Sequence, residues 1–175
     1  MKQSVQELLD LLETVGPRVH VLLTNLTGRV DAAEDLLQEL FLKLSRSNGF
    51  KTAPNQEAYL LRSAIHIAFD WRKQNRKLIS LEDFKTEITQ PGISLADGLI
   101  QAEMVGKVLQ ALEMLSDNDR ELICMRFLEE MSNETLAAHL GVSAHQVRSK
   151  CSKAMDRLRR ILQADQVKIA NGDQP

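Results

Sequence analysis

Apolar residues recur at helical spacing along almost the whole of this chain. Val5, Leu8, Leu9, Leu12 and Val15 make one stripe, which Gly16-Pro17 interrupts, and Val19, Leu22, Leu23 and Leu26 make a second that ends near Gly28. Asp31, with Glu34 three positions on, gives the next helix a capping-box-like start ahead of Leu36, Leu37, Leu40, Phe41 and Leu44. Residues 47–54, SNGFKTAP, read as a loop. A long helix is predicted from about Gln56 to Lys77, with Tyr59, Leu60, Ala64, Ile67, Ala68 and Trp71 on one side. Residues 78–97 lose the periodicity and contain Pro91-Gly92, so they read as a linker. A second helical block follows. Ile100, Val105, Val108, Leu109, Leu112 and Leu115 form one helix, and Ser116 starts another that carries Leu122, Ile123, Met125 and Phe127. Ser132 caps the short helix NETLAAHL, which Gly141 ends, and Ser143 with Gln146 opens a last helix to about Leu162. The remainder, 163–175, reads as a polar, frayed tail.

The pattern predicts an all-α fold of two small helical domains, 1–77 and 98–162, joined by the flexible segment 78–97. Composition agrees: 43% hydrophobic residues in a chain of 175 is enough for cores, and few β-branched runs argue against sheet. No apolar run approaches the roughly 20 residues that span a bilayer. The leucines of the N-terminus are interspersed with acids, unlike a signal peptide. Cys124 and Cys151 make neither a disulfide framework nor a metal quartet. The expectation is a reduced, cytoplasmic protein with no membrane partner, no metal and no cofactor. No nucleophile–base pair or phosphate-binding glycine loop marks an enzyme.

Charge changes the picture once it is divided along the chain. The formal net charge is only −2. Residues 62–77, however, hold five basic and one acidic group, and residues 148–163 hold six and one. The intervening 78–147 hold four basic and twelve acidic groups. The second basic stretch lies in NETLAAHLGVSAHQVRSKCSKA, which has the form of a helix-turn-helix. Its second helix would turn Val147, Cys151 and Ala154 inward and present His145, Gln146, Arg148, Ser149, Lys150 and Lys153, with Arg157, Arg159 and Arg160 extending the basic face. Arg and Lys suit phosphates or guanine, and Gln pairs with adenine. The plain alternative is a helical bundle with a solvated charged face. In the first basic stretch, Arg62, His66, Lys73 and Lys77 come near one helix face with Arg72 and Arg76 beside it. Tyr59, Phe69 and Trp71 there would either stack a base or belong to the core.

Three stretches together resemble a known family. DAAEDLLQELFLKL at 31–44, EAYLLRSAIHIAFDWRKQNRK at 57–77 and LSDNDRELICMRFLEEMSNETLAAHLGVSAHQVRSKCSKAMDRLRRIL at 115–162 are similar, in that order, to regions 2 and 4 of sigma-70-type initiation factors. The short chain, without regions 1.1 and 3, looks like the extracytoplasmic-function group. The resemblance implies a region 2 helical bundle and a region 4 helix-turn-helix. It implies that Asp35, Gln38 and Glu39 dock on the β′ clamp of core RNA polymerase, with the β flap a further contact. It implies that the loop with Asn48, Lys51 and Thr52, and the helix with Arg62, His66, Arg72, Lys73 and Arg76, bind a single-stranded −10 element. It also implies that the helix from Ala144 enters the major groove of a −35 element. Promoter DNA and polymerase are then the partners, and an anti-sigma factor is a possible third. The family usually has Asn where His66 stands and Thr where Gln146 stands. A helix-turn-helix regulator with a sensing or dimerisation domain at 1–77, or a helical adaptor that binds no DNA, are the competing classes.

Overall fold

A computed structural model describes the backbone of residues 2–76 and 95–171 and the side chains of 6–76 and 100–164. Among these residues every regular element is helical. The chain divides into two compact units, Met1–Asp83 and Phe84–Pro175. Most of the linker expected at 78–97 lies outside the described residues, but its last three positions already belong to a helix that starts at Leu95.

The first unit contains α1 (Lys2–Thr27), α2 (Val30–Arg46), the single turn α3 (Asn48–Lys51) and α4 (Gln56–Gln74). The break expected at Gly16-Pro17 is absent, because α1 runs through it with Pro17 inside the helix. A proline in a helix interior costs about 3 kcal/mol. Val15, Val19, Leu22, Leu23 and Leu26 are all buried where α1 packs on α2 and α4. At about 1.5–3 kcal/mol for each such side chain, that burial outweighs the local penalty. Gly28 (φ +74) closes α1 by donating its N–H to Thr24 O at 2.7 Å.

The start of α2 also departs from expectation. Its N-cap is Arg29, in extended conformation and with no side-chain cap bond. Asp31 instead takes a two-point bond from Arg29, Nε to Oδ1 at 3.0 Å and Nη2 to Oδ2 at 2.6 Å. That bond holds the Asp31 carboxyl below its usual range. The expected loop 47–54 contains α3, whose first turn is closed by Ser47 Oγ accepting from Phe50 N–H at 3.1 Å. Asn55 caps α4 in the same way through Ala58 N–H at 2.9 Å. At the other end α4 stops at Gln74, three residues short of expectation, where Asn75 donates both its N–H and its side-chain amide to Trp71 O.

The second unit contains α5 (Leu95–Glu113), α6 (Asp117–Ile123), a π-helical turn (Cys124–Leu128), α7 (Asn133–Leu140) and α8 (Ala144–Asn171). Ser116 and Ser132 cap α6 and α7 as their positions predict. Gly141 (φ +64) ends α7 and donates its N–H to Ala137 O. The last helix passes Leu162 and continues to Asn171, so the tail expected from Gln163 is largely helical. Residues 172–175 lie outside the described residues. The α8 residues Val147, Cys151, Ala154 and Leu158 form one buried stripe facing α5, α6 and α7.

Two features of this unit have no sequence signature. The apolar stripe expected on α5 is only partly covered: Ala102, Leu109, Ala111 and Leu112 are buried, whereas Ile100 is 57% exposed and Val108 and Met104 are exposed beside it. In the π turn, Glu129 N–H reaches back to Cys124 O and Met131 N–H to Met125 O. The extra residue per turn rotates the chain outward, leaving Phe127 51% exposed under the Arg126 guanidinium at 5.6 Å.

Candidate nucleic-acid interface

In the first unit α2 has two sharply different faces. Ala32, Ala33, Leu36, Leu40 and Leu44 are buried. Asp35, Gln38 and Glu39 are all exposed on the opposite side. Spacings of three and four residues place them as neighbours on the helix surface. Leu42 lies one turn further along the same face and is 52% exposed. An apolar residue left in water beside three polar ones is a feature the sequence pattern hides, because Leu42 simply extends a leucine-rich run.

The α3 turn and α4 carry the first basic stretch. Asn48 and Thr52 are exposed and Lys51 is half-buried. The Thr52 hydroxyl donates to Asn48 O at 3.0 Å, so these two residues brace the turn. Tyr59 belongs to that brace as well. Its ring meets Phe50 edge-on at 6.1 Å, its hydroxyl is 3.3 Å from Ser47 Oγ, and a Cβ on Gly49 would come within 2.8 Å of the hydroxyl. Phe69 is buried and Trp71 half-buried. On α4, Arg62, Lys73 and Arg76 are exposed and His66 is half-buried. An ion pair from Arg18 to Glu57 at 3.0 Å ties α1 to the start of α4.

Arg72 departs from the expected basic face. It is 3% exposed, and its guanidinium donates to Leu26 O at 3.0 Å. Leu26 is in the last turn of α1, where main-chain carbonyls have no partner within the helix and the helix dipole is negative. Arg72 therefore satisfies the end of α1 from a neighbouring helix and is withdrawn from the exposed basic face. Arg120 does the same in the second unit. Its side chain donates to Leu112 O at 3.0 Å and Glu113 O at 3.3 Å at the end of α5, and to Leu115 O at 3.0 Å just beyond it. Arg126 donates to Met131 O at 3.0 Å.

The outward face of α8 presents His145, Gln146, Arg148, Ser149, Lys150 and Lys153, all exposed. Its start is closed by a reciprocal cap. Ser143 Oγ accepts from Gln146 N–H at 3.2 Å, and Gln146 Oε1 accepts from Ser143 N–H at 2.9 Å and from the Ser143 hydroxyl at 3.3 Å. Arg157 was expected on this face, but its guanidinium binds Asp119 of α6 at 2.6 Å. The pair links α8 to α6, with the Arg157 side chain still 55% exposed. Arg159 is paired with Asp156 at 3.0 Å. The two thiols are buried, and loss of solvent pushes the Cys124 thiol up to about 12 and raises that of Cys151. Among the described residues no helix is long and apolar enough to cross a membrane.

Two family patterns match in the order of the two units: Sigma-70 region 2 over residues 11–78 and Sigma-70, region 4 over residues 111–160. The RNA polymerase sigma-E factor of Streptomyces antibioticus is 31% identical over 161 residues, covering 90% of this chain and 87% of that protein. The chain belongs to the sigma-70 family. The ECF RNA polymerase sigma factor SigX of Bacillus subtilis is 30% identical over 149 residues, covering 78% of this chain and 77% of that one, and places it in the extracytoplasmic-function group. A solved complex of the sigma factor RpoE with the anti-sigma factor NepR from Bartonella quintana aligns over 91% of this chain at 24% identity, with a TM-score of 0.46.

The region 2 match over 11–78 removes the alternative of a sensing or dimerisation domain in that position. In region 2, α2 holds Asp35, Gln38 and Glu39 on one exposed face, and the α3 turn and α4 hold the basic set without Arg72. In region 4, α7 and α8 are the helix-turn-helix, and α8 holds the basic set while Arg157 faces α6. Leu42 and Asp119 were not legible as site residues in sequence, since an exposed leucine and an ion-pair partner on another helix leave no local pattern.

Proposed function

We propose that this sigma factor binds core RNA polymerase through the outward face of α2, using Asp35, Gln38, Glu39 and Leu42. The burial of the opposite α2 face carries the reading: these four side chains serve no packing purpose in region 2. Three polar groups around one apolar knob suit a basic partner helix such as the β′ clamp, where charge sets approach and orientation and the leucine adds contact area. Promoter contacts follow from the two basic sets. Asn48, Lys51, Thr52, Arg62, His66, Lys73 and Arg76 would receive the −10 element as single strand. His145, Gln146, Arg148, Ser149, Lys150 and Lys153 would enter the major groove of the −35 element. The protein acts in the cytoplasm as a positioning factor with no chemistry of its own. Its near-neutral total charge suits a chain that binds DNA weakly until polymerase holds both basic faces in place.

The test is retention of core polymerase by the immobilised chain. Asp35→Ala with Gln38→Ala should abolish retention, and Leu42→Ala should weaken it, with thermal unfolding unchanged because all three positions are exposed. Full retention by both variants would overturn the reading. Promoter binding by the holoenzyme should fall steeply with salt as phosphate contacts are lost. A flat dependence would favour an adaptor without DNA contacts.

A further inference from the structure

We infer that Gln146 meets promoter DNA only as a hydrogen-bond donor. This rests on the proposal that α8 enters the groove. A main-chain N–H can only donate, so the Gln146 amide atom 2.9 Å from Ser143 N is fixed as the oxygen. The Ser143 hydroxyl, which accepts from Gln146 N–H, donates to that same oxygen at 3.3 Å. Both lone pairs of Oε1 are thus directed into the cap. The end of the side chain left for a ligand is Nε2, with two N–H donors and no acceptor.

That accounting excludes the pairing that a glutamine in a recognition helix first suggests. Reading adenine takes both ends of the amide: the NH2 donates to N7 while the oxygen accepts from N6. Here the oxygen is occupied, so the two-point adenine contact is made only by giving up the cap, and a single bond to adenine N7 does not distinguish it from guanine. Cytosine offers the major groove a donor at N4, which Nε2 has nothing to accept with. The groups that fit are acceptors: N7 of either purine, guanine O6, thymine O4, or a phosphate oxygen, with guanine alone of the purines offering two. The threonine usual at this position in the family has no amide, so this donor belongs to this chain's own promoter choice.

The experiment uses holoenzyme assembled from the full chain and core polymerase, with promoters selected from a library randomised across the upstream element. Wild type is compared with Gln146→Ala and Gln146→Glu. Glutamate keeps an acceptor for the Ser143 cap and removes the outward donor, so the start of α8 stays intact, which a thermal melt verifies. If Nε2 reads a base, wild type depletes cytosine at one position and holds guanine or thymine at or above adenine there, and both variants erase that preference. If it holds a phosphate, both variants lower affinity for all sequences, by about fivefold for the alanine, with no change in preference. A preference for adenine over guanine that Gln146→Ala erases would overturn the inference. So would unchanged affinity and preference in both variants. Lys153→Ala run alongside separates the two levels: if it too leaves promoter affinity and salt dependence untouched, the placement of α8 on DNA is what fails.

Discussion

Replacing Arg72 tests whether a basic residue in the last turn of α4 serves the fold or the promoter. The side chain is buried and its guanidinium donates to the Leu26 carbonyl at the end of α1. A hydrogen bond from a charged group contributes about 1.5–3 kcal/mol, and its loss leaves a buried carbonyl unsatisfied. Truncation also opens a gap between α1 and α4. Arg72→Ala should therefore destabilise region 2 by roughly 3 kcal/mol. In a unit of this size that corresponds to a fall of about 12–24 °C in its melting temperature. Trp71 is the chain's single tryptophan and sits next to Arg72 in region 2, so its fluorescence follows this unit alone. Urea or thermal unfolding monitored at Trp71 reads the effect, and Lys73→Ala, exposed on the same helix, is the control with a change below about 0.5 kcal/mol. An Arg72→Ala protein that unfolds like wild type yet loses promoter opening would refute the structural role and return Arg72 to the DNA face.

Gly16→Ala should stabilise region 2 by about 0.5–1 kcal/mol, because the position is mid-helix and nothing lies within 4 Å of an added Cβ; a loss of stability in chemical denaturation would contradict the unbroken α1. Cys124 should stay unmodified by a thiol reagent at pH 8 until denaturant is added, because burial pushes its thiol to about 12. The same shift has a sign in stability. The unfolded thiol ionises near 9.0 and the folded one resists, so region 4 should be unaffected below pH 9 and lose stability between pH 9 and about 12. Denaturant midpoints across that range, compared with Cys124→Ala, measure it.

Much of the molecule was legible in the chain. Among the described residues, helical periodicity marked every helix of eight residues or more, because a 3.6-residue apolar repeat has one structural solution. The serine caps at Ser116, Ser132 and Ser143 and the left-handed Gly141 were equally local, since each depends on residues within one turn. The exposed placement of Asp35, Gln38 and Glu39 also followed from spacing, as the leucines between them must turn inward. What failed were inferences in which a local rule meets a distant partner. Pro17 reads as a break, and only packing on α2 and α4 keeps α1 whole. Asp31 reads as a cap, but the partner it takes is Arg29.

Charge is where tertiary structure decided most. In sequence, all arginines of a basic stretch look alike, and counting them assigns a function to the stretch. The fold separates them by what lies opposite. Arg72 meets a helix end and Arg157 meets Asp119, while Arg148, Lys150 and Lys153 meet solvent. A guanidinium reaches several ångströms from its backbone, so its partner is set by which helices pack together and at what angle, and neither is written in the spacing of one helix. Sequence alone determined that this chain makes two helical units, one with an acidic exposed helix face and one with a helix-turn-helix. Only the packed structure decided which charges remain available to use them.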